Sequence, residues 1–451
     1  MNRSTQRILR IAGVGGVTAA LAATTACAGG GGGSGTTTLE YWMWDDVQLP
    51  AYEQCAADFT EENPDIEVEI TQTAWGQYWT NLATQLAAGS APDVWTNQSS
   101  YYPQFVADNQ VEDLQPYIDE AGDAVDLDQY VSGLADTWVV DGARYGLPKD
   151  WDTVALVFSR EAVEAAGIDA ASLQELTWNP DDGGTFGEVI AQLTVDANGV
   201  RGNEPGFDPS NVETYGFLPE WTDGSEGQNM WGNFAHMNGF EYADVNPFGE
   251  EFNYDAPELA ETIDWFAGLS DQGYAPALDI QSSLWRIEVL MSGAGAMTTL
   301  GAFNQMTFAD AADDYIFAPL PTGPEGRKSA INGLSDAMYA GSDNKDAAWK
   351  WIQYLASPEC QNVVGETGVV FPAVQEASDR SVEVRAESGL DAEVFFTYLD
   401  DPEGTFLIPV ANNGTEMAQI VQDAIQSVAL GSTDAQTALT EANEKVNALF
   451  Q

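Results

Sequence analysis

The sequence predicts a two-lobed α/β protein, and three observations predict it. The chain has 451 residues, more than one hydrophobic core usually organises, so two lobes are expected. Hydrophobic residues make up 44% of it and mean hydropathy is −0.22, which together exclude a disordered chain and a polytopic membrane protein. Strand-like and helix-like periodicities alternate along the chain, the pattern of a parallel sheet covered by helices.

Leu39 to Trp44 reads as a strand, followed by Tyr52, Cys55, Ala56 and Phe59 at helical spacing. Asn63-Pro64 breaks that helix, and Ile66, Val68 and Ile70 alternate with charged residues as a second strand. Thr153 to Phe158 and Tyr315 to Ala318 read as further strands. Between Trp178 and Trp231 the composition shifts to Gly, Pro, Asp and Asn, which reads as a loop-rich insertion. Two helices close the chain, one marked by Met417, Ile420, Val421, Ala424, Ile425 and Val428. The other is marked by Ala435, Ala438, Leu439, Ala442, Val446 and Leu449. No internal repeat is found.

Charge narrows the function. Against 15 Lys+Arg stand 71 Asp+Glu, a formal net charge of −56, so the chain repels phosphate backbones and nucleic acid is excluded as a partner. Anionic substrates are disfavoured at long range. Trp 14, Tyr 16 and Phe 19 are plentiful, which suits a neutral or cationic ligand. The acid excess also strips carboxylate pairs of catalytic meaning, because chance supplies many. There is one histidine, His236, and no CxxC, HExxH, Walker loop or GxGxxG. Zinc, a Ser-His-Asp triad and nucleotide chemistry therefore lack support, and no cofactor or metal is expected. Asp196-Ala197-Asn198-Gly199 hints at a calcium loop but lacks spaced ligands, and an Asn-Gly turn is the expected reading.

The N-terminus sets the compartment. Arg3, Arg7 and Arg10 precede an apolar run from Ile11 to Ala23, too short to span a bilayer unaided. Ala26-Cys27 and a Gly-rich stretch follow, and the arrangement resembles a bacterial lipoprotein signal. Residues 1–26 would be the signal peptide, Cys27 the lipidated first residue and 27–37 a flexible tether. Thr24 stands where that signal usually has Leu, and a plain secretory signal is the alternative. Removing 1–26 takes away three arginines and no acid, leaving 12 basic residues against 71 acidic. No later run of 18 apolar residues exists. Cys55 and Cys360 remain; outside the cell two such thiols often pair, but sequence leaves their meeting open.

Several segments occur in a telling order. Tyr78-Trp79-Thr80-Asn81-Leu82 runs to Gln85-Leu86-Ala87-Ala88-Gly89-Ser90-Ala91-Pro92-Asp93-Val94. Tyr145-Gly146-Leu147-Pro148-Lys149-Asp150-Trp151-Asp152-Thr153 leads to Glu164-Ala165-Ala166-Gly167. Gly293 to Gly301, Pro319 to Gly326, Asn344 to Gln361 and Phe371-Pro372-Ala373 complete the set. Together they resemble the extracellular solute-binding proteins of ABC importers, specifically the family-1 sugar binders related to maltose-binding protein. Phe158-Ser159 stands where that family usually has Tyr-Asn.

The resemblance implies the type II periplasmic-binding-protein-like fold, with a ligand cleft between two lobes joined by hinge strands. Lobe one would be 38–149 plus 332–372, and lobe two 150–331 plus 373–451. It implies a monomeric, non-enzymatic protein, lipid-anchored on the outer face of the cytoplasmic membrane. Such a protein hands a carbohydrate to the ABC permease membrane subunits. A secreted glycoside hydrolase, or the same fold binding a polyamine or peptide, are the alternatives. A sugar cleft wants planar polar groups beside aromatic faces. Asp152 falls at a sugar-binding carboxylate position of the family, and Phe303 at its stacking tryptophan. Trp44 and Asp45 end the first strand, where open α/β sheets bind ligands. Asn97 would follow the strand at Asp93 to Trp95 and face the cleft, and Trp75 would stack on ligand. Trp221 and Trp231, in the polar insertion, would not both be core. Trp285-Arg286 would form a clamp, and Asn332, Gly333 and Asn412 match cleft-lining stretches.

Overall fold

The computed structural model describes residues 36–451 except 132, 223–224 and 282–284. The signal peptide 1–26, Cys27 and most of the 27–37 tether lie outside the described residues. Among the described residues no helix is long and apolar enough to cross a membrane.

The first lobe is built on the larger sheet. Strand Thr37–Met43 pairs in parallel with Ile66–Gln72 and with Val94–Gln98. The intervening helix, Leu49–Glu62, buries Tyr52, Cys55, Ala56 and Phe59 on one face. Its last turn ends at Asn63, whose N–H returns to the Phe59 carbonyl, and Pro64 cannot continue the ladder. Helix Trp75–Ala88 stops at Gly89, whose φ of 69° lets its N–H bond back into the last turn. Long strand Ser329–Met338 then runs antiparallel beside Val94–Gln98, with Asp336 opposite Thr96. Its other flank takes crossing strand Leu147–Asp152, with Asn332 opposite Asp152.

One residue, Thr153, separates that crossing strand from Val154–Ser159, the centre of the second lobe's sheet. There Met297–Gly301 and Tyr315–Pro319 flank it, both antiparallel. The chain thus passes between lobes along strands, which is how a hinge can be stiff along its length and still bend across it. The second lobe's core gathers Phe158, Trp178, Phe186, Phe234, Phe266 and the closing helices Gly414–Ala429 and Ala435–Ala448.

Four local readings need adjustment or resolution. The 178–231 insertion is not all loop: Gly184–Leu193 is a helix that buries Phe186, Val189, Ile190 and Leu193. Asn97 lies within its strand and not after it. Cys55 and Cys360 do meet, forming a disulfide with Cα atoms 5.3 Å apart that ties the first helix to helix Pro358–Gly365. The Asp196 stretch is a turn: the carboxylate accepts the amides of Asn198, Val200 and Asp208 at 2.8–3.0 Å.

Candidate ligand-binding cleft

The two strands that cross between lobes bring a line of polar residues into low-dielectric surroundings. Lys149 and Asp336 form a buried ion pair at 3.2 Å. The Lys149 ammonium also donates to the Tyr41 hydroxyl and to Thr96 Oγ1, and lies 3.7 Å from the Tyr52 ring centroid. Burial lowers the Lys149 pKa, and Asp336 opposes the shift. Its charge is consumed inside the lobe. Arg385 is likewise spent, donating to the carbonyls of Gly368 and Val369 and to Gln305 Oε1. The crossing region therefore keeps its carboxylates and commits its cations.

Asp152 ends the crossing strand. Gln228 Nε2, from the second lobe's 225–230 loop, donates to its Oδ1 at 3.1 Å and its Oδ2 at 3.2 Å. Burial pushes the Asp152 carboxyl well above the usual range, Asp150 adds to this, and the Gln228 and Arg385 groups oppose it. The next backbone bond, from Ala302 N to the Thr153 carbonyl, sets Phe303 beside this end of the strand. The Phe303 ring lies over Gly301, where a Cβ would come within 2.3 Å of it and within 3.0 Å of Asn229 Oδ1. Phe303 is 39% exposed, so its face is open to a ligand.

The lobes touch across a crevice. Ser100 and Tyr101 line one wall; Ser225, Glu226, Pro409, Gly414 and Met417 line the other. Asn413 N donates to Gln104 Oε1 at 3.0 Å, and a Cβ on Gly414 would stand 2.6 Å from the Ser100 carbonyl oxygen. Tyr101 stacks on Trp79 with centroids 3.8 Å apart and planes 4° from parallel. Trp44 and Trp75 pack edge-on to the same group, at 5.1 Å from each other. All four rings are half-buried. Glu226 is 6% exposed and holds φ at 55°, a conformation rare outside glycine. Tyr254 donates to its Oε2 at 3.1 Å and Tyr242 to its backbone carbonyl at 2.6 Å. Such strain persists where surroundings over-determine it, as at binding sites.

The expected residues fall into groups. Asp152, Phe303, Trp44, Trp75 and half-buried Asp45 are gathered around the crossing strands and the aromatic wall. Asn332, 7% exposed, accepts from Ser99 Oγ at 3.0 Å, and Gly333 sits opposite Trp151 within the sheet. Trp221 and Trp231 are both core, at 3% and 2% exposure, within the second-lobe core that also holds Phe266 and Val421 of the closing helix; each still contributes an edge to a second-lobe crevice with Glu226. Asn97 is wholly buried in a central strand, with Nδ2 lacking a partner among the described residues, so it is placed in the sheet and not at its mouth. Arg286 is buried and ion-paired to Glu220, which spends the charge expected of a clamp; Trp285 is exposed at the start of that short helix. Asn412 is exposed just before helix Gly414–Ala429. Sequence reasoning missed Tyr101, Glu226 and Gln228 as cleft residues.

Two lobes, strand crossovers and a polar, aromatic-walled interface define a solute-binding protein. Residues 54–392 match the model of the bacterial extracellular solute-binding protein family, and the chain belongs to that family. It is 24% identical to the arabinooligosaccharide-binding protein of Halalkalibacterium halodurans over 333 residues, 72% of this chain and 68% of that one. It is 22% identical to the maltodextrin-binding protein MdxE of Bacillus subtilis over 406 residues, 88% of this chain and 86% of that one. In structure it is similar to the ABC substrate-binding protein Lmo0181 of Listeria monocytogenes, solved with cycloalternan. That match has TM-score 0.79 at 20% identity and covers 92% of this chain and 99% of the other. UspC of M. tuberculosis matches at TM-score 0.70 and 25% identity, covering 91% and 99%. The family, the two sugar-binding relatives and Lmo0181 are all described as binding proteins.

Proposed function

We propose that this protein captures an oligosaccharide in the cleft between its lobes and delivers it, unchanged, to an ABC importer. The observation that carries the reading is the pairing of an aromatic wall (Trp44, Trp75, Trp79 and Tyr101) with a cross-lobe carboxylate, Asp152. Stacked rings cover the C–H faces of a pyranose, and carboxylates accept from its hydroxyls. The binding of arabinooligosaccharide and maltodextrin by the relatives named above supports an oligomeric sugar. In this reading Cys27 carries the lipid, the Gly-rich tether lets a monomer reach the permease on the outer face of the cytoplasmic membrane, and the lobes divide at 149/150, 331/332 and 372/373.

The experiment is a thermal-shift screen of the mature protein against neutral oligosaccharides, with polyamines and peptides as the other arm. A ligand at about 100 times its dissociation constant adds about 2.7 kcal/mol. Shifts with oligosaccharides, and recovery of the sugar intact after overnight incubation, support the reading. Shifts with polyamines or peptides only, or cleavage of the sugar, overturn it.

A further inference from the structure

The contact between Gln228 and Asp152 belongs to a closed ring of bonds. Asn233, wholly buried in helix Trp231–Met237, donates from Nδ2 to the Gln228 carbonyl at 2.6 Å and to the Met230 carbonyl at 3.3 Å. Its Oδ1 accepts the Ala330 amide at 2.6 Å, near the start of the long strand. Two residues on, Asn332 pairs with Asp152 across the sheet. Ser329 Oγ accepts the Val154 amide at 2.9 Å and ties the same two chain segments once more. The ring closes where Gln228 Nε2 meets both oxygens of Asp152.

A glutamine side chain has three rotors, and fixing them costs entropy. Here the Gln228 carbonyl is bound to Asn233, its side-chain amide to Asp152, and the carbonyl of Glu226, two residues earlier, to Tyr242. The donor, 3% exposed, therefore stands in place before any ligand arrives. One nitrogen at nearly equal distances from two carboxyl oxygens asks both to accept, which suits the charged form; a proton would turn one oxygen into a donor. The remaining lone pairs of the carboxylate stay available to ligand hydroxyls. The charged neighbours of Asp152 are Asp150 on its own strand and Arg385 on helix Gln375–Glu387, with Glu226 on the loop that carries Gln228.

We infer that Gln228 is a positioning residue for Asp152: donating to both carboxyl oxygens from a loop tied to the crossing strands, it fixes the plane of the carboxylate and holds it in the accepting form that sugar hydroxyls need. Gln228 thus acts on ligand through Asp152 and not by a contact of its own. The electrostatics agree, since burial and Asp150 push the Asp152 carboxyl up while the Gln228 bond, and after it Arg385, pull it down. The inference rests on Asp152 contacting ligand, which belongs to the proposed function.

The test has a ligand-free arm and a binding arm. Gln228→Met keeps the length of the side chain and removes the donor, so Asp152 should keep its proton over a pH range in which wild type has lost it. The melting temperature of Gln228→Met should therefore fall further below wild type as pH rises from 5 to 9. Gln228→Lys keeps a donor and adds charge, and should bend the difference the other way. Both trends should vanish in an Asp152→Asn background. Differences that do not change with pH, or that persist without the Asp152 carboxyl, overturn the proposal. In calorimetry with maltotriose and with arabinotriose, Gln228→Met should reach its full affinity at higher pH than wild type, with a loss of up to about tenfold below that point. In the Asp152→Asn background the same change should alter affinity by less than about twofold. Losses that add in the double variant would give Gln228 a ligand contact of its own and overturn the positioning role, as would identical pH profiles. Unweakened binding by Asp152→Asn overturns the contact on which the inference stands. No heat with either sugar at any pH counts against the carbohydrate reading, and the melting arm then decides the role of Gln228.

Discussion

Gln228 reaches from the second lobe to both oxygens of Asp152, at 3.1 and 3.2 Å, and so joins a lobe to the strand on which it turns. The carboxylate is buried at the point where the crossing strand leaves the larger sheet. A ligand hydroxyl that bonds there shares an acceptor already aligned by a cross-lobe contact. Removing the carboxylate leaves those hydroxyls underpaired in a desolvated cleft. Leaving a buried hydrogen-bonding partner unsatisfied costs about 1–3 kcal/mol, so Asp152→Ala should weaken sugar binding by about 5- to 150-fold. Calorimetric titration with the best sugar from the screen measures this. Unchanged affinity would place the binding carboxylate elsewhere.

Gly414 stands where the backbones of the two lobes come close. A Cβ there would lie 2.6 Å from the Ser100 carbonyl oxygen, and that oxygen belongs to main chain that cannot swing aside. The clash exists only while the lobes are together. Gly414→Ala should therefore weaken ligand binding by about tenfold or more while leaving the ligand-free melting temperature within about 2 °C of wild type. Glycine at the first position of a helix contributes little to helix stability, so alanine should not harm the second lobe itself. Equal affinity in the variant would show that ligand is held without this approach.

Much of the fold was legible because its periodicities are clean. Ile66, Val68 and Ile70 alternate along one strand, and Tyr52, Cys55, Ala56 and Phe59 mark one face of a helix. Val94–Gln98 misled because its polar residues are buried: Thr96 is satisfied by Tyr41 and Asp336, partners 55 and 240 residues away. Polar composition read as loop is a sound inference only where such partners are absent. The helix Gly184–Leu193 hid behind Gly183-Gly184 and the Asp-rich turn before it, although Phe186, Val189, Ile190 and Leu193 have helical spacing. In the cleft, Asp152 was named through motif likeness, Trp44 through its place at a strand end and Trp75 through its place before a helix. Tyr101, Glu226 and Gln228 were not, because their place depends on loops that long-range topology brings together. Glu226 carries its best signal in φ, which no composition reveals.

The Cys55–Cys360 bridge closes a loop across 305 residues of sequence, and both side chains are fully buried. The loop-entropy relation gives a bridge of this span about 5–6 kcal/mol of stabilisation, through the unfolded chain it constrains. For a chain of this size that corresponds to roughly 5–6 °C in melting temperature. The double variant Cys55→Ala/Cys360→Ala should melt lower by that amount and bind sugar as well as wild type, since the bridge ties two helices within the buried core of the first lobe. Thiol titration of the unfolded, unreduced mature protein should find neither cysteine reactive. Two titrating thiols would break the argument.

His236 should give the acid limb of the stability profile. Its ring stacks on Phe406 with centroids 3.6 Å apart, and Nδ1 is 2.9 Å from the Gly232 carbonyl oxygen. Burial lowers its pKa to about 3, with the Gly232 bond opposing the shift and Lys328 adding to it. In the unfolded chain the imidazole titrates near 6.5. Between those values the unfolded state takes up a proton that the folded state refuses, so stability is lost as pH falls from about 6.5 towards 3. Asp150, raised to about 7, acts in the opposite sense: the folded state holds its proton where the unfolded state does not, and stability falls as pH rises from about 4 to 7. The two slopes oppose each other over the same window, which conceals each in the wild type. His236→Phe keeps the stack and removes the titration. Relative to wild type it should gain about 1.4 kcal/mol for each pH unit lowered below 6, or roughly 1.5 °C in melting temperature per unit. Asp150→Asn should shift the profile the other way, gaining on wild type as pH rises from 4 to 7. Melting curves for the three proteins from pH 4 to 8 measure both slopes, and parallel profiles would mean that neither group changes its proton affinity on folding.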